Sequence, residues 1–109
     1  MDNLDAVIAA PKQHRIALEN DQVRVLDTRI EPGETTPLHT HGWPSACYVL
    51  SWDHVVRRDA NGEVTFDSRS AGVNLEPGQT TWLGALEAHT LENVGKRPVH
   101  LICVEVKST

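Results

Sequence analysis

The chain has 109 residues, with 10 Lys and Arg against 15 Asp and Glu and a formal charge of −5. That length can bury one core but not two, and a composition 39% hydrophobic and 23% charged is that of a folded domain rather than a disordered chain. The acidic balance argues against nucleic acid and against an anionic membrane surface as partners, since both need clustered cations.

In chain order, Met1 to Asp5 is acidic, and the apolar run from Ala6 to Ala10 stops at Pro11. A secretory core needs about 7–15 apolar residues, so a soluble, cytoplasmic protein is expected. Residues 1–13 read as an N-terminal arm of a single domain spanning 1–109. Residues 14–19 are a predicted strand closed by Asn20-Asp21. Residues 23–28 alternate and are rich in β-branched side chains, and Pro32-Gly33 stops them. Residues 46–52 form an apolar run. Asp59-Ala60-Asn61-Gly62 is a hairpin turn between Val55-Val56 and the segment 64–66. Pro77-Gly78 precedes 80–83, and Gly95-Lys96 separates 88–94 from a last strand, 99–106. Helix should be scarce, because no window of ten residues has a helical period. Short strands at this spacing indicate an all-β sandwich or barrel. An internal echo runs through it: Glu31-Pro32-Gly33 leads to His39 and His41, and Glu76-Pro77-Gly78 leads to His89. A jelly roll, built of two Greek keys, suits that repetition. Cys47 and Cys103 are too few for a disulfide framework and are not spaced as a zinc pair, so two buried, reduced thiols are expected.

His39-Thr40-His41 is the first concentration of chemistry. In a strand, residues two apart project from one face, so both imidazoles can converge on one ion. Two exposed histidines on a polar strand edge would give the same pattern.

The context resembles the cupin superfamily, whose first motif is Gly-x5-His-x-His-x(3–4)-Glu-x6-Gly. Gly33 is followed by five residues and then His39-Thr40-His41. The second motif, Gly-x5-Pro-x-Gly-x2-His-x3-Asn, is similar to the run from Gly78 to His89 and Asn93, with its spacing intact. The resemblance implies a jelly-roll barrel (a double-stranded β-helix) with one divalent metal held by His39, His41 and His89. Iron is favoured, with zinc, nickel, manganese and copper as alternatives for a set of three imidazoles.

The departures are specific. The motif glutamate falls on Ala46 or, with one residue fewer, on Ser45; the closing glycine falls on Asp53; the second motif's Pro and Gly become Gly84 and Leu86. Loss of the carboxylate leaves three neutral ligands and the full charge on the ion. Some cupins, dioxygenases among them, are similar in using three histidines, so the departure is compatible with activity and equally with a degenerate site.

If position 46 faces inward, Tyr48 and Leu50 share its face. Tyr48 then becomes the candidate acid–base group, the alternative being a ring packed in the barrel with its hydroxyl in water. Cys47 should point away from the metal. Trp43 is a candidate cap of the barrel mouth and Trp82 a candidate wall. Glu87, read as a loop residue, is an outside candidate to replace the lost carboxylate, while Asn93 is expected to hold a turn. His14 and His54 read as surface or interface histidines, and His100 as a satisfied core histidine or a group behind the ligands.

The leading expectation is a metal-dependent enzyme, an oxygenase, acting on a small polar molecule. The rivals are a non-catalytic module that binds metal or a small ligand, and a structural remnant. A small chain gains from oligomerisation, and a homodimer through residues before Asn20 is expected.

Overall fold

The computed structural model describes residues 3–107; Met1 and Asp2 of the N-terminal arm lie outside the described residues. A single helical turn, α1 (Ala6–Ala9), comes first. The strands β1 (His14–Glu19), β2 (Val23–Ile30), β3 (His39–His41), β4 (Ser45–Ser51) and β5 (Val55–Asp59) follow. The chain continues through β6 (Val64–Asp67), β7 (Thr80–Leu83), β8 (Leu86–Asn93) and β9 (Val99–Val106). They form a five-stranded sheet, β1-β2-β9-β4-β7, and a four-stranded sheet, β3-β8-β5-β6, every ladder antiparallel. Neighbours distant in sequence, such as β2 with β9 and β3 with β8, make this a jelly roll rather than a meander.

Period-two alternation explains which side chains fill the space between the sheets. On β2 the inward residues are Arg24, Leu26, Thr28 and Ile30, and on β9 they are Val99, Leu101, Cys103 and Glu105. One end is closed by Ile30, Val49, Trp52, Val55 and Val99, against which Phe66, Leu75, Leu91 and Leu101 pack. Each such aliphatic or aromatic side chain contributes roughly 1.5–3 kcal/mol on burial. The other end carries polar residues at the same inward positions, and that is where the site forms.

The two Pro-Gly turns are built alike. Glu34 N–H donates to the Glu31 carbonyl at 2.9 Å and Gln79 N–H to the Glu76 carbonyl at 3.0 Å. Gly33 and Gly78 have φ of +81° and +93°. Proline followed by a positive-φ residue is the type II turn, and only glycine adopts it without strain. The internal echo of the sequence is thus one turn used twice: after Gly33 the chain runs to β3 with His39 and His41, and after Gly78 it enters β7, from which β8 returns with His89.

The N-terminal arm folds back on the barrel. The apolar run 6–10 makes one helical turn, with the Asp5 side chain accepting from Val7 N–H at its start and Ala6 and Ala10 fully buried. Thr40 N–H donates to the Leu4 carbonyl at 2.7 Å, tying the arm to β3. None of the helices among the described residues is long and apolar enough to cross a membrane.

Candidate metal centre

His39 and His41 come from β3 and His89 from β8, where the two strands pair with His39 opposite His89. Two apart on β3, His39 and His41 both face the cavity, and the register shift beside them falls on β8, between Leu86 and His89. The His39 and His89 ring centroids are 4.3 Å apart, those of His39 and His41 4.9 Å, and those of His41 and His89 5.4 Å. The structure thus brings the three histidines of the motifs together.

It also adds a fourth. His14 is buried, not at the surface as its position in the sequence suggested, and its ring centroid lies 4.8 Å from that of His39 and 5.3 Å from that of His41. The ligating atoms of His14, His39 and His41 lie within 4.8 Å of one another. The reason is registry. His14 pairs with Thr28 of β2, an inward position, so the first residue of β1 is carried into the barrel. No spacing rule within the sequence links residue 14 to residue 39.

Three of the four rings share one hydrogen-bond logic. Nδ1 of His14 lies 3.0 Å from the Ala10 carbonyl, Nδ1 of His39 2.8 Å from that of Pro37, and Nδ1 of His89 2.7 Å from that of Glu87. A carbonyl only accepts, so these bonds assign the proton to Nδ1 and leave Nε2 with its lone pair. Nδ1 of His41 faces Glu105 Oε2 at 3.6 Å. Fixing the outer nitrogen is how proteins orient imidazole toward a metal.

Burial is the first cause that holds these rings neutral. It lowers His14 to about 3, with the neighbouring imidazoles adding to the effect. It lowers His39 to about 4 and His89 to about 3, although the Pro37 and Glu87 carbonyls pull the other way. At neutral pH His14, His39 and His89 are unprotonated, the form a divalent ion requires. The residues present therefore fit a divalent metal.

The carboxylate missing from the first motif has a neighbour in its place. Ser45, inward-facing and buried, pairs across the ladder with Glu105 of β9, which in turn pairs with Arg24 of β2. Arg24 donates through Nε to Glu105 and through both terminal nitrogens to Asp5, each at 2.9 Å. The Arg24, Asp5 and Glu105 side chains are all at most 4% exposed. Burial opposes the charge on Arg24, but the hydrogen bonds to Asp5 and Glu105 outweigh it and raise its pKa. Glu105 Oε2 has no hydrogen-bond partner and is turned toward His41. Its position was readable: it is the charged member of the inward series Val99, Leu101, Cys103, Glu105.

A chain with four inward histidines in such a barrel can be compared with known folds. No family model and no curated protein matches the sequence. Solved structures do. A cupin domain from Bordetella pertussis Tohama I superposes with a TM-score of 0.68 at 19% identity, covering 87% of this chain and 92% of that one. A Klebsiella pneumoniae protein with a double-stranded β-helix domain gives 0.57 at 21% identity, over 85% and 74% of the two chains. A cupin-family protein from Methanocaldococcus jannaschii gives 0.59 at 10% identity, over 85% and 77%. The chain has the cupin fold. In this cupin barrel the cluster of His14, His39 and His41, capable of coordinating a divalent metal, sits at one wall of a cavity of about 320 Å³ that His89 also lines.

Several expectations are corrected. Tyr48 does not enter the cavity. On β4 the buried residues are Ser45, Cys47 and Val49, while Ala46, Tyr48 and Leu50 face outward, Tyr48 at 45% exposure. Ala46 shares its outer row with Trp82 and Val104. Four intervening residues from His41 to the motif carboxylate would put Ala46 and Tyr48 inward; three, ending at Ser45, match the observed alternation. Cys47 consequently points inward with Cys103, its direct cross-strand partner, and both line the cavity as buried free thiols.

Trp82 sits at the cavity rim and is 62% exposed. Trp43 is not among the residues that line the cavity; the Arg24 guanidinium and the Lys107 ammonium lie 5.1 and 5.4 Å from its ring centre. Glu87 belongs to β8, not a loop, and is exposed; it serves His89 through its carbonyl, not its carboxylate. His100 is half-buried and bonded to Asp27 at 2.8 Å on the outer face, and His54 to Asp67 at 2.6 Å, both away from the cluster. Asn93 holds a turn, donating to the Ile30 and Arg97 carbonyls and accepting from Gly95 N–H.

Proposed function

We propose that this cupin is a metal-dependent enzyme, a dioxygenase using iron(II), with His14, His39, His41 and His89 as the ligand set. The observation that carries the reading is the common orientation of the rings. At His14, His39 and His89 a backbone carbonyl holds Nδ1 and leaves Nε2 free for the ion. Neutral nitrogen ligands leave the ion its full double charge, and when bound it would supply Lewis acidity and redox chemistry to a small molecule. The chain's own residues do the rest. Leu26, Leu86, Leu91 and Phe66 line the cavity and exclude water, so charges there interact more strongly than in solvent. Glu105, beside His41, orients that ring and offsets part of the positive charge.

Elemental analysis of protein purified without a histidine tag should find one divalent ion per chain. Oxygen consumption with iron(II) and candidate small-molecule substrates would then separate an enzyme from a binding module. Protein that takes up no divalent ion when iron(II) or zinc is supplied would end the metal reading altogether.

A homodimer is part of the proposal. β1 is an edge strand of the five-stranded sheet, and an exposed edge invites pairing. Beside it an apolar row, Leu18, Val25, Val104, Ala46 and Trp82, runs across the outer face of all five strands. Light scattering should give twice the chain mass at micromolar concentration, and Leu18→Lys should halve it. A monomeric wild-type protein would refute the dimer.

A further inference from the structure

Arg57 is the cavity group for which neither the fold nor the metal site accounts. It lies on β5, paired with Leu91 of β8 and Phe66 of β6, and all three residues line the same cavity as the histidines. Its guanidinium carbon sits 5.2 Å from the Phe66 ring centre, and among the described residues its side chain makes one hydrogen bond, a long one, Nε to Thr65 Oγ1 at 3.4 Å. The other two arginines that are not exposed are both neutralised: Arg24 holds Asp5 and Glu105, and Arg58 holds Glu92 at 2.8 Å. Among the described residues no carboxylate lies within ion-pair range of Arg57. Burial alone lowers its pKa, and it lines the cavity that also carries the four histidines. The acids nearest in the fold are committed elsewhere. Asp59 accepts from Asn61 and Glu63 N–H in the hairpin turn, and Glu92 is held by Arg58.

Arg57 is half-buried, and a cation without a carboxylate partner at a largely apolar cavity wall loses part of its solvation unless a ligand restores it. A guanidinium has five donors in a planar fork that matches a carboxylate, and the pair is strongest where water is excluded. We propose that Arg57 is the anion-binding subsite of this cavity and that its ligand is a small monocarboxylate with an apolar body. A single guanidinium suits one negative charge; a phosphate dianion would call for further cations, and the cavity holds none besides Arg57 that is free of a carboxylate. Leu75, Leu83, Leu91 and Phe66 suit a hydrocarbon body and not a sugar. The cavity volume, about 320 Å³, limits that body to a short one. The proposal names the substrate class of the enzyme proposed above. It rests on that reading for the reaction but not for the binding, since Arg57 is not a metal ligand.

The test is calorimetric titration of hexanoate and of its uncharged isostere hexanamide, with Trp52 fluorescence as a second readout, on metal-free and on iron(II)- or zinc-loaded protein. Hexanoate should bind the metal-free protein at least tenfold more tightly than hexanamide. Arg57→Met should remove that preference, leaving hexanamide unaffected, and Arg57→Lys should restore part of it. Metal content of each variant, measured in parallel, reports whether the cavity is intact. If Arg57→Met does not fold, the comparison of the two ligands on wild-type protein still decides. Equal binding of hexanoate and hexanamide to wild-type protein, or undiminished hexanoate binding by folded Arg57→Met, would overturn the proposal. Hexanoate preference in a protein that takes up no metal would uphold it while sinking the enzyme reading.

Discussion

Arg24→Met destabilises the protein by about 3–5 kcal/mol, the usual cost of stranding a buried charge partner. Two carboxylates lose their counter-ion at once. Asp5 and Glu105 are each about 2% exposed, and Arg24 is the base that holds both. The loss should propagate to the arm, because Asp5 also starts α1 and binds Arg24 through both oxygens. Urea unfolding of wild type and Arg24→Met at equal protein concentration measures it. A loss below about 1 kcal/mol would show that water or a shifted side chain neutralises the two acids.

The triple replacement Asp5→Leu, Arg24→Met and Glu105→Leu separates stability from site geometry. Removing all three charges together should recover much of the stability, since a well-packed apolar substitute for a buried ion cluster is often neutral. It should not recover metal affinity, because the carboxylate beside His41 has gone with them. Loss of such an outer partner costs about 10–100-fold in metal binding.

The second large effect falls on the metal itself. His39 is in ring contact with all three other histidines, at 4.8 Å to His14, 4.9 Å to His41 and 4.3 Å to His89. His39→Ala should therefore lower affinity for zinc or iron(II) by more than about 100-fold, beyond what loss of an outer-shell partner does. His14→Ala tests the ligand set. If His14 coordinates, its removal should weaken the metal at least about tenfold, by the same scale. If affinity is unchanged by His14→Ala and falls with His89→Ala, His14 only fills space behind His39. Competition with a chromophoric chelator measures all three, and circular dichroism checks that each variant is folded.

The expectation of a β jelly roll was legible because its causes are local. Alternation at 23–28 and 99–106, the two Pro-Gly turns and the hairpin turn at 59–62 act within a few residues, and a β-strand needs little more. Spacing likewise put His39 and His41 on one face. What the motifs could not convey was phase. Shifting a strand by one residue exchanges its two faces, and β4 offered apolar side chains on both: Cys47 and Val49 on one, Tyr48 and Leu50 on the other. Only the ladder with β9, which sets Cys47 against Cys103 and Ser45 against Glu105, determines that Tyr48 looks outward.

The amino-acid sequence by itself determined the strands, the turns that join them and the pairing of two histidine segments behind two like turns. The tertiary structure alone decided which other residues meet them. His14 enters through its register with Thr28, Glu105 through its place between Arg24 and Ser45, and Arg57 through its pairing with Leu91 and Phe66. The contacts of Glu105 with Arg24 and Ser45, and of Arg57 with Leu91, join strands far apart along the chain, and even in the hairpins the register decides which side chains face inward. Local propensity is encoded residue by residue, whereas the partners of a buried charge are fixed only when whole sheets settle into register.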